Sequence, residues 1–268
     1  MWCASMVFLA GLAAEAAAQD DDFDVNAAAA YFAITNTNVG SGTLHVPGLV
    51  ATMPERRVRA QFGYSDEEGD VSRRSLLLGL DLPASAGALG IEAGVSDFAC
   101  DLSDVEEELD IEINCGSVIM IGARWTGRLL SAPLGEASGN TLQLGIDVAA
   151  GGSFGDYFEF SDLTGTLTIA SRNLAGGVSL PVLISARSGG VMIIPVVAPG
   201  FAYGRSTQEA KFEGEEEDVT EGGAQFMLSA GLGLRFGESG FGLDAGVRKV
   251  FAEDTPVVLG LGASIRLR

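Results

Sequence analysis

From Arg57 onward the chain alternates apolar and polar residues at period two. The final stretch shows the pattern plainly: Val257, Leu259, Leu261, Ala263, Ile265 and Leu267 fall on every second position. Gly260, Gly262, Ser264 and Arg266 lie between them. Successive side chains of a strand point to opposite faces, so this alternation predicts strands with one apolar face. Ten runs carry it: 57–65, 74–83, 88–98, 117–128, 140–150, 174–186, 190–204, 223–237, 240–251 and 256–268. Strands of soluble proteins are commonly about 5 or 6 residues long. These runs are longer, and about 9 to 11 tilted residues cross a bilayer.

The two faces differ in kind. One collects Phe62 and Tyr64, then Leu76, Leu78 and Leu80, then Leu89, Ile91 and Val95. Later it collects Leu142, Leu144 and Ile146, then Phe226, Leu228, Leu232 and Leu234, then Phe241, Leu243 and Val247. Such a face suits lipid, or the core of a soluble β protein. The other face collects Arg57, Arg59, Asp81, Glu92, Arg124, Arg128, Asp147, Arg235, Asp244, Arg248 and Arg266. Unpartnered charges in an apolar core are prohibitive, whereas a wet or ion-paired barrel interior accommodates them. The alternation therefore predicts lipid outside and a polar lumen inside. The lumenal charges have two readings: an Arg–carboxylate network that fills a narrow barrel, or the lining of a narrow pore.

The connections sort by length. The odd-numbered ones, such as "ACDLSDVEEELDIEINCG" and "RSTQEAKFEGEEEDVTEG", are mostly long and acidic; the even-numbered ones, such as "SGG" and "ESG", are mostly tight turns. Long loops on one side and short turns on the other are the asymmetry of bacterial outer-membrane barrels. One connection, "SDLTGTLTIASRN", can itself hold strand structure, which would raise the strand number toward twelve.

Composition sharpens this picture. The chain has 268 residues, is 47% hydrophobic and has a mean hydropathy of +0.28. No stretch of about 18 uninterrupted apolar residues is present, so no transmembrane helix is expected. The formal charge of −20 argues against nucleic-acid binding, which needs a basic surface. Residues 1–18 end an apolar run with Ala16-Ala17-Ala18 and are expected to be a signal peptide. Residues 19–55 form a weakly patterned lead that suits a plug, a threading arm or extra strands, and 56–268 form the barrel. Cys100 and Cys115 remain after the signal. An even count in an exported chain predicts that they form a disulfide.

Candidate chemistry is sparse. His45 is the sole histidine and lies outside the alternating runs. A triad needs a base beside a nucleophile, so no catalytic site and no enzyme activity are expected. Phosphate-loop, dinucleotide and zinc signatures are absent, and no cofactor is expected. The acidic runs 101–112 and 213–221 lack the ligand spacing of a calcium loop. Weak divalent cation binding there, shared with lipopolysaccharide phosphates, is the one metal expectation.

"SLPVLISARSGGVMIIPVVAPGFAYGR" and "AGLGLRFGESGFGLDAGVRKVF" look like consecutive barrel hairpins. With the signal and the loop asymmetry, the chain resembles small outer-membrane β-barrel proteins of Gram-negative bacteria. The resemblance is one of architecture and covers about residues 57–268. It implies an antiparallel up-and-down transmembrane β-barrel of about ten strands in the cell outer membrane, in contact with its lipid, its lipopolysaccharide and its assembly machinery. The expected role is structural or in surface interaction. A narrow passive pore with an Arg-lined periplasmic end, and a soluble periplasmic barrel holding an apolar ligand, are the alternatives.

Overall fold

Alternation becomes a closed antiparallel ladder in the computed structural model. It describes residues 25–37, 55–67, 71–84, 87–100, 103, 106, 111–135, 140–161, 165–212, 215–237, 239–252 and 255–267. The expected signal peptide, His45 and most of the acidic run 101–112 lie outside these residues. The strands are β1 (Arg57–Glu67), β2 (Val71–Ala84), β3 (Gly87–Cys100), β4 (Glu112–Pro133), β5 (Thr141–Ser161) and β6 (Thr166–Ser179). They continue as β7 (Val182–Ser188), β8 (Val191–Phe212), β9 (Glu215–Phe236), β10 (Phe241–Phe251) and β11 (Val257–Arg266). One helix, α1 (Val25–Thr35), precedes them.

Neighbours in sequence pair with one another, and β1 also pairs with β11, which closes the ring. β6 and β7 share one place, end to end. Both lie between β5 and β8. Eleven segments thus make a barrel ten strands around. The break falls at Leu180–Pro181, because proline brings no N–H to the ladder. Backbone bonds bridge it: Gly145 N–H donates to the Pro181 carbonyl at 2.8 Å, and Leu180 N–H to that of Pro199 at 2.9 Å. Closure matters because it leaves the spanning backbone without an unsatisfied edge.

The outward face is the apolar one. Leu78 is 60% exposed and Leu261 61%, and Ile91, Val95, Leu232, Leu243 and Val247 are exposed beside them. In water such a continuous belt would be a severe liability; in lipid it is the driving surface. Aromatic pairs bracket it. Phe236 and Phe241 stack at 5.9 Å near the short turns, and Phe226 meets Phe201 and Phe251 at 5.3 Å each at the other end. On β9 the brackets stand at residues 226 and 236, and on β10 at 241 and 251. That spacing matches the roughly 9–11 residues that cross a bilayer.

The long connections differ from expectation. Much of their length is strand. β5 and β6 pair as far as Ser161 with Thr166, and β8 and β9 as far as Phe212 with Glu215. β4, β5, β6, β8 and β9 therefore run on past the outer aromatic bracket as one wall. The acidic residues 215–221, expected as loop, are the outer end of β9.

Candidate functional site

The lumen is the part of the molecule with chemistry in it. Its outer half holds α1. The helix sequence, VNAAAAYFAIT, is apolar on nearly all sides, which fits a helix enclosed all round rather than lying on a surface. Ala30, Ala33 and Ile34 are fully buried. Tyr31 and Ile34 pack on Ala149, Ala175, Ala202, Met227 and Val250, one inward residue each from β5, β6, β8, β9 and β10. Gly204 and Gly223 let the helix approach the wall. A Cβ at Gly204 would strike the Ala30 carbonyl and lie 2.9 Å from the Ala33 Cβ.

The helix ends against β2. Arg73 Nη1 donates to the Thr35 carbonyl and, at 3.0 Å, to Asn36 Oδ1, while its Nε donates to Ser65 Oγ at 3.2 Å. A cation is favourable at the C-terminal carbonyls of a helix. Phe32 also lies 5.5 Å from the ring of Tyr157, which in turn meets Phe98 at 4.7 Å. Asn173 donates to the Tyr157 hydroxyl at 2.9 Å, so this buried phenol is satisfied.

The inner half holds charge. Arg59, Asp81, Glu92 and Arg124 come from β1, β2, β3 and β4 in turn. Arg59 Nε lies 2.8 Å from Asp81 Oδ2, and its Nη2 lies 3.2 Å from Glu92. Arg124 reaches the other Glu92 oxygen at 3.3 Å. Glycines make the room: a Cβ at Gly79 would sit 3.0 Å from the Arg59 guanidinium, and one at Gly90 would sit 3.0 Å from Asp81 Oδ1. Asp147 accepts from Thr126 Oγ1 at 2.6 Å. Across the barrel, Arg235 Nη2 donates to both oxygens of Asp244, at 2.9 and 3.1 Å. Arg248 Nε donates to Ser229 Oγ at 2.8 Å. Arg57 pairs with Glu55 at 2.9 Å, and the half-exposed Arg266 reaches the same carboxylate at 3.0 Å.

The structure thus brings together Arg59, Asp81, Glu92 and Arg124 in one group, and Arg235 with Asp244 in another. Arg57, Asp147 and Arg248 are buried in the same interior. Arg128 is not there; it is exposed. It pairs with Gly145, in the same row as Arg124 and Thr126, but at the end of that row, and the ladder shifts register just past it. On the β7 and β8 side the interior is apolar instead, filled by Leu183, Ile194 and Val196.

Cys100 and Cys115 form a disulfide between the outer ends of β3 and β4. Among the described residues no group of His, Cys, Asp or Glu is arranged to hold a metal ion. Glu55, Arg73 and Tyr157 were not singled out by sequence. Glu55 precedes the first alternating run. Arg73 sits one residue before the expected start of the second. Tyr157 lies in a segment expected to be a loop, at an irregularity of the ladder between Asp156 and Phe158.

A closed antiparallel ring ten strands around with an apolar outward face is the architecture of a transmembrane β-barrel. No protein-family model matches the sequence, and no curated protein does. Solved structures of outer-membrane proteins are similar in fold. The translocator domain of the autotransporter NalP from Neisseria meningitidis is 12% identical, with a TM-score of 0.46, over 98% of this chain and 100% of that one. A major outer membrane protein from Thermus thermophilus is 14% identical at a TM-score of 0.34, over 79% and 99%. The attachment invasion locus protein Ail of Yersinia pestis is 13% identical at a TM-score of 0.30, over 80% and 97%.

Proposed function

We propose that this chain is a sealed outer-membrane barrel with a structural or surface-interaction role. The observation that carries the reading is the occupied lumen: α1 stands in the outer half, and ion pairs together with the Leu183, Ile194 and Val196 cluster cross the inner half, leaving a cavity at the short-turn mouth. A barrel of about eight strands is just wide enough for its side chains, and open aqueous channels belong to about sixteen. Ten strands with a helix inside stand on the closed side of that range. The outer wall then serves as the presenting surface. Its acidic residues, Glu216, Glu217, Asp218 and Glu221, are suited to divalent cations shared with lipopolysaccharide phosphates. Insertion through the outer-membrane assembly machinery is part of this reading.

Planar-bilayer conductance tests it. The refolded chain should insert without steady openings. Gly204→Val should push α1 off the β8 wall and produce openings, because the new methyl groups occupy the helix's place. Steady openings of the unmodified protein, with anion preference, would overturn the sealed reading and favour an Arg-lined pore.

A further inference from the structure

The barrel's short-turn end holds a cavity of about 220 Å³. Its wall includes Glu55, Arg57, Arg187, Arg235 and Arg266, with glycines of the two tight turns at 189–190 and 237–240 between them. Four guanidiniums share two carboxylates. Glu55 is used by Arg57 and Arg266, and Asp244, beside the wall, is used by Arg235. Arg187, on β7, forms no ion pair among the described residues. Among the described residues of this mouth, four guanidiniums thus face two carboxylates, two positive charges in excess.

Arg57 adds a second, independent sign. It is 5% exposed, and its Nε–H has no hydrogen-bond acceptor among the described residues. Its Nη1 is occupied by the Gly240 carbonyl at 3.2 Å and Ser264 Oγ at 3.4 Å, and its Nη2 by Glu55. Leaving an N–H of a buried guanidinium unmet is costly. A ligand oxygen in the cavity would meet it.

We propose that this cavity binds a phosphate group entering from the periplasmic side. A guanidinium fork matches the oxygens of phosphate or carboxylate. The excess of two charges selects phosphate, which carries close to two negative charges near neutral pH, over a single carboxylate. Its tetrahedral oxygens also reach several walls at once. A cavity of about 220 Å³ has room for the phosphate and several waters. Gly189 and Gly190 bring backbone to the cavity wall without a side chain of their own. Binding at this mouth is separate from the helix in the outer half, so it stands or falls apart from the sealed reading.

Isothermal titration of the refolded protein in a neutral detergent, at fixed ionic strength, tests the proposal. The probes are inorganic phosphate, chloride and dihexanoyl phosphatidic acid. Saturable heat with inorganic phosphate and none with chloride supports it and assigns a soluble phosphate. Saturation by the phosphatidic acid alone supports the phosphate chemistry and assigns a lipid headgroup. Arg187→Gln should raise the dissociation constant about tenfold, the loss of one good charged contact, without changing the unfolding temperature measured free of phosphate. Arg128→Gln, an exposed arginine outside the cavity, should leave binding unchanged. Absence of saturable heat with both phosphate probes, or equal binding by the Arg187 variant, overturns it.

Discussion

Glu92 is the hinge of the larger charge group, since it touches both Arg59 and Arg124. Removing one partner of a buried ion pair leaves the other charge buried and unmatched, at a cost of about 3–5 kcal/mol. Glu92→Gln should therefore destabilise the barrel by about 3 kcal/mol, measured by urea unfolding in vesicles and followed by Trp125, next in chain to Arg124. A change below about 1 kcal/mol would mean that these charges are hydrated, as exposed pairs are. A second residue prediction concerns the outer wall. The Lys211 ammonium donates to Glu209 at 2.8 Å and, with Arg172, holds its carboxyl below the usual glutamate range. A depressed carboxyl contributes stability above its unfolded value and loses it as pH falls through its folded value. Carbon-13 titration of Glu209 should find the depressed midpoint, and Lys211→Gln should move it up toward that of an ordinary glutamate.

The lumenal charges were legible in sequence because period two forces every such residue to the side away from lipid. Arg128 belongs to the same row by count but stands at its exposed end, and a count of alternate positions carries no depth. Arg73 was missed for a different reason: its partner is the end of a helix that nothing in its own strand announces.

At the scale of elements, α1 and the long hairpins carry the lesson. VNAAAAYFAIT has no helical stripe to detect, because its second half, Ala30 to Thr35, packs within the barrel; its signature is the absence of a polar face. The acidic stretch at the start of β9 looked like loop because Glu and Asp are poor strand formers. It is held as strand by the ladder to β8, from Phe201–Phe226 out to Phe212–Glu215. The β9 ladder to β10 ends at Phe226–Phe251, so among the described residues the outer part of β9 has an open edge. Glu216, Glu217 and Asp218 lie on that edge and are exposed. Charge on an open edge discourages pairing with another chain. The disulfide ties the opposite border, joining β3 to β4 over a sequence separation of 15. A loop of that size contributes about 3 kcal/mol on the chain-entropy account. Replacing both cysteines with serine should lower the unfolding midpoint by that order while the β-sheet signal in circular dichroism is unchanged. Loss of the sheet signal would mean that the bridge is required to form the barrel at all.

For the whole molecule, the aromatic brackets and the open lengths of strand together fix how the barrel sits in the bilayer. Phe226 and Phe251 mark the outer boundary, and Phe236 and Phe241 the inner one. From Phe226 out to Glu215, at roughly 3.3 Å per residue and a tilt near 40°, the β8–β9 wall rises about 28 Å beyond the lipid. The opposite side, β1, β10 and β11, has strands of only 11, 11 and 10 residues and just spans. The molecule is thus lopsided, with its acidic wall on one side of the outer rim. This arrangement makes a depth prediction. Val219 and Leu232 are both apolar and exposed, at 57% and 44%, so hydropathy alone would put both in lipid. The brackets put only Leu232 there. Spin labels at the two positions, each on a single cysteine in a chain whose own cysteines are serine, should respond oppositely. The label at 232 should be relaxed by oxygen, which concentrates in lipid, and the label at 219 by a water-soluble nickel chelate. Should 219 also favour oxygen, the wall lies in the membrane and the phenylalanines do not mark its surface.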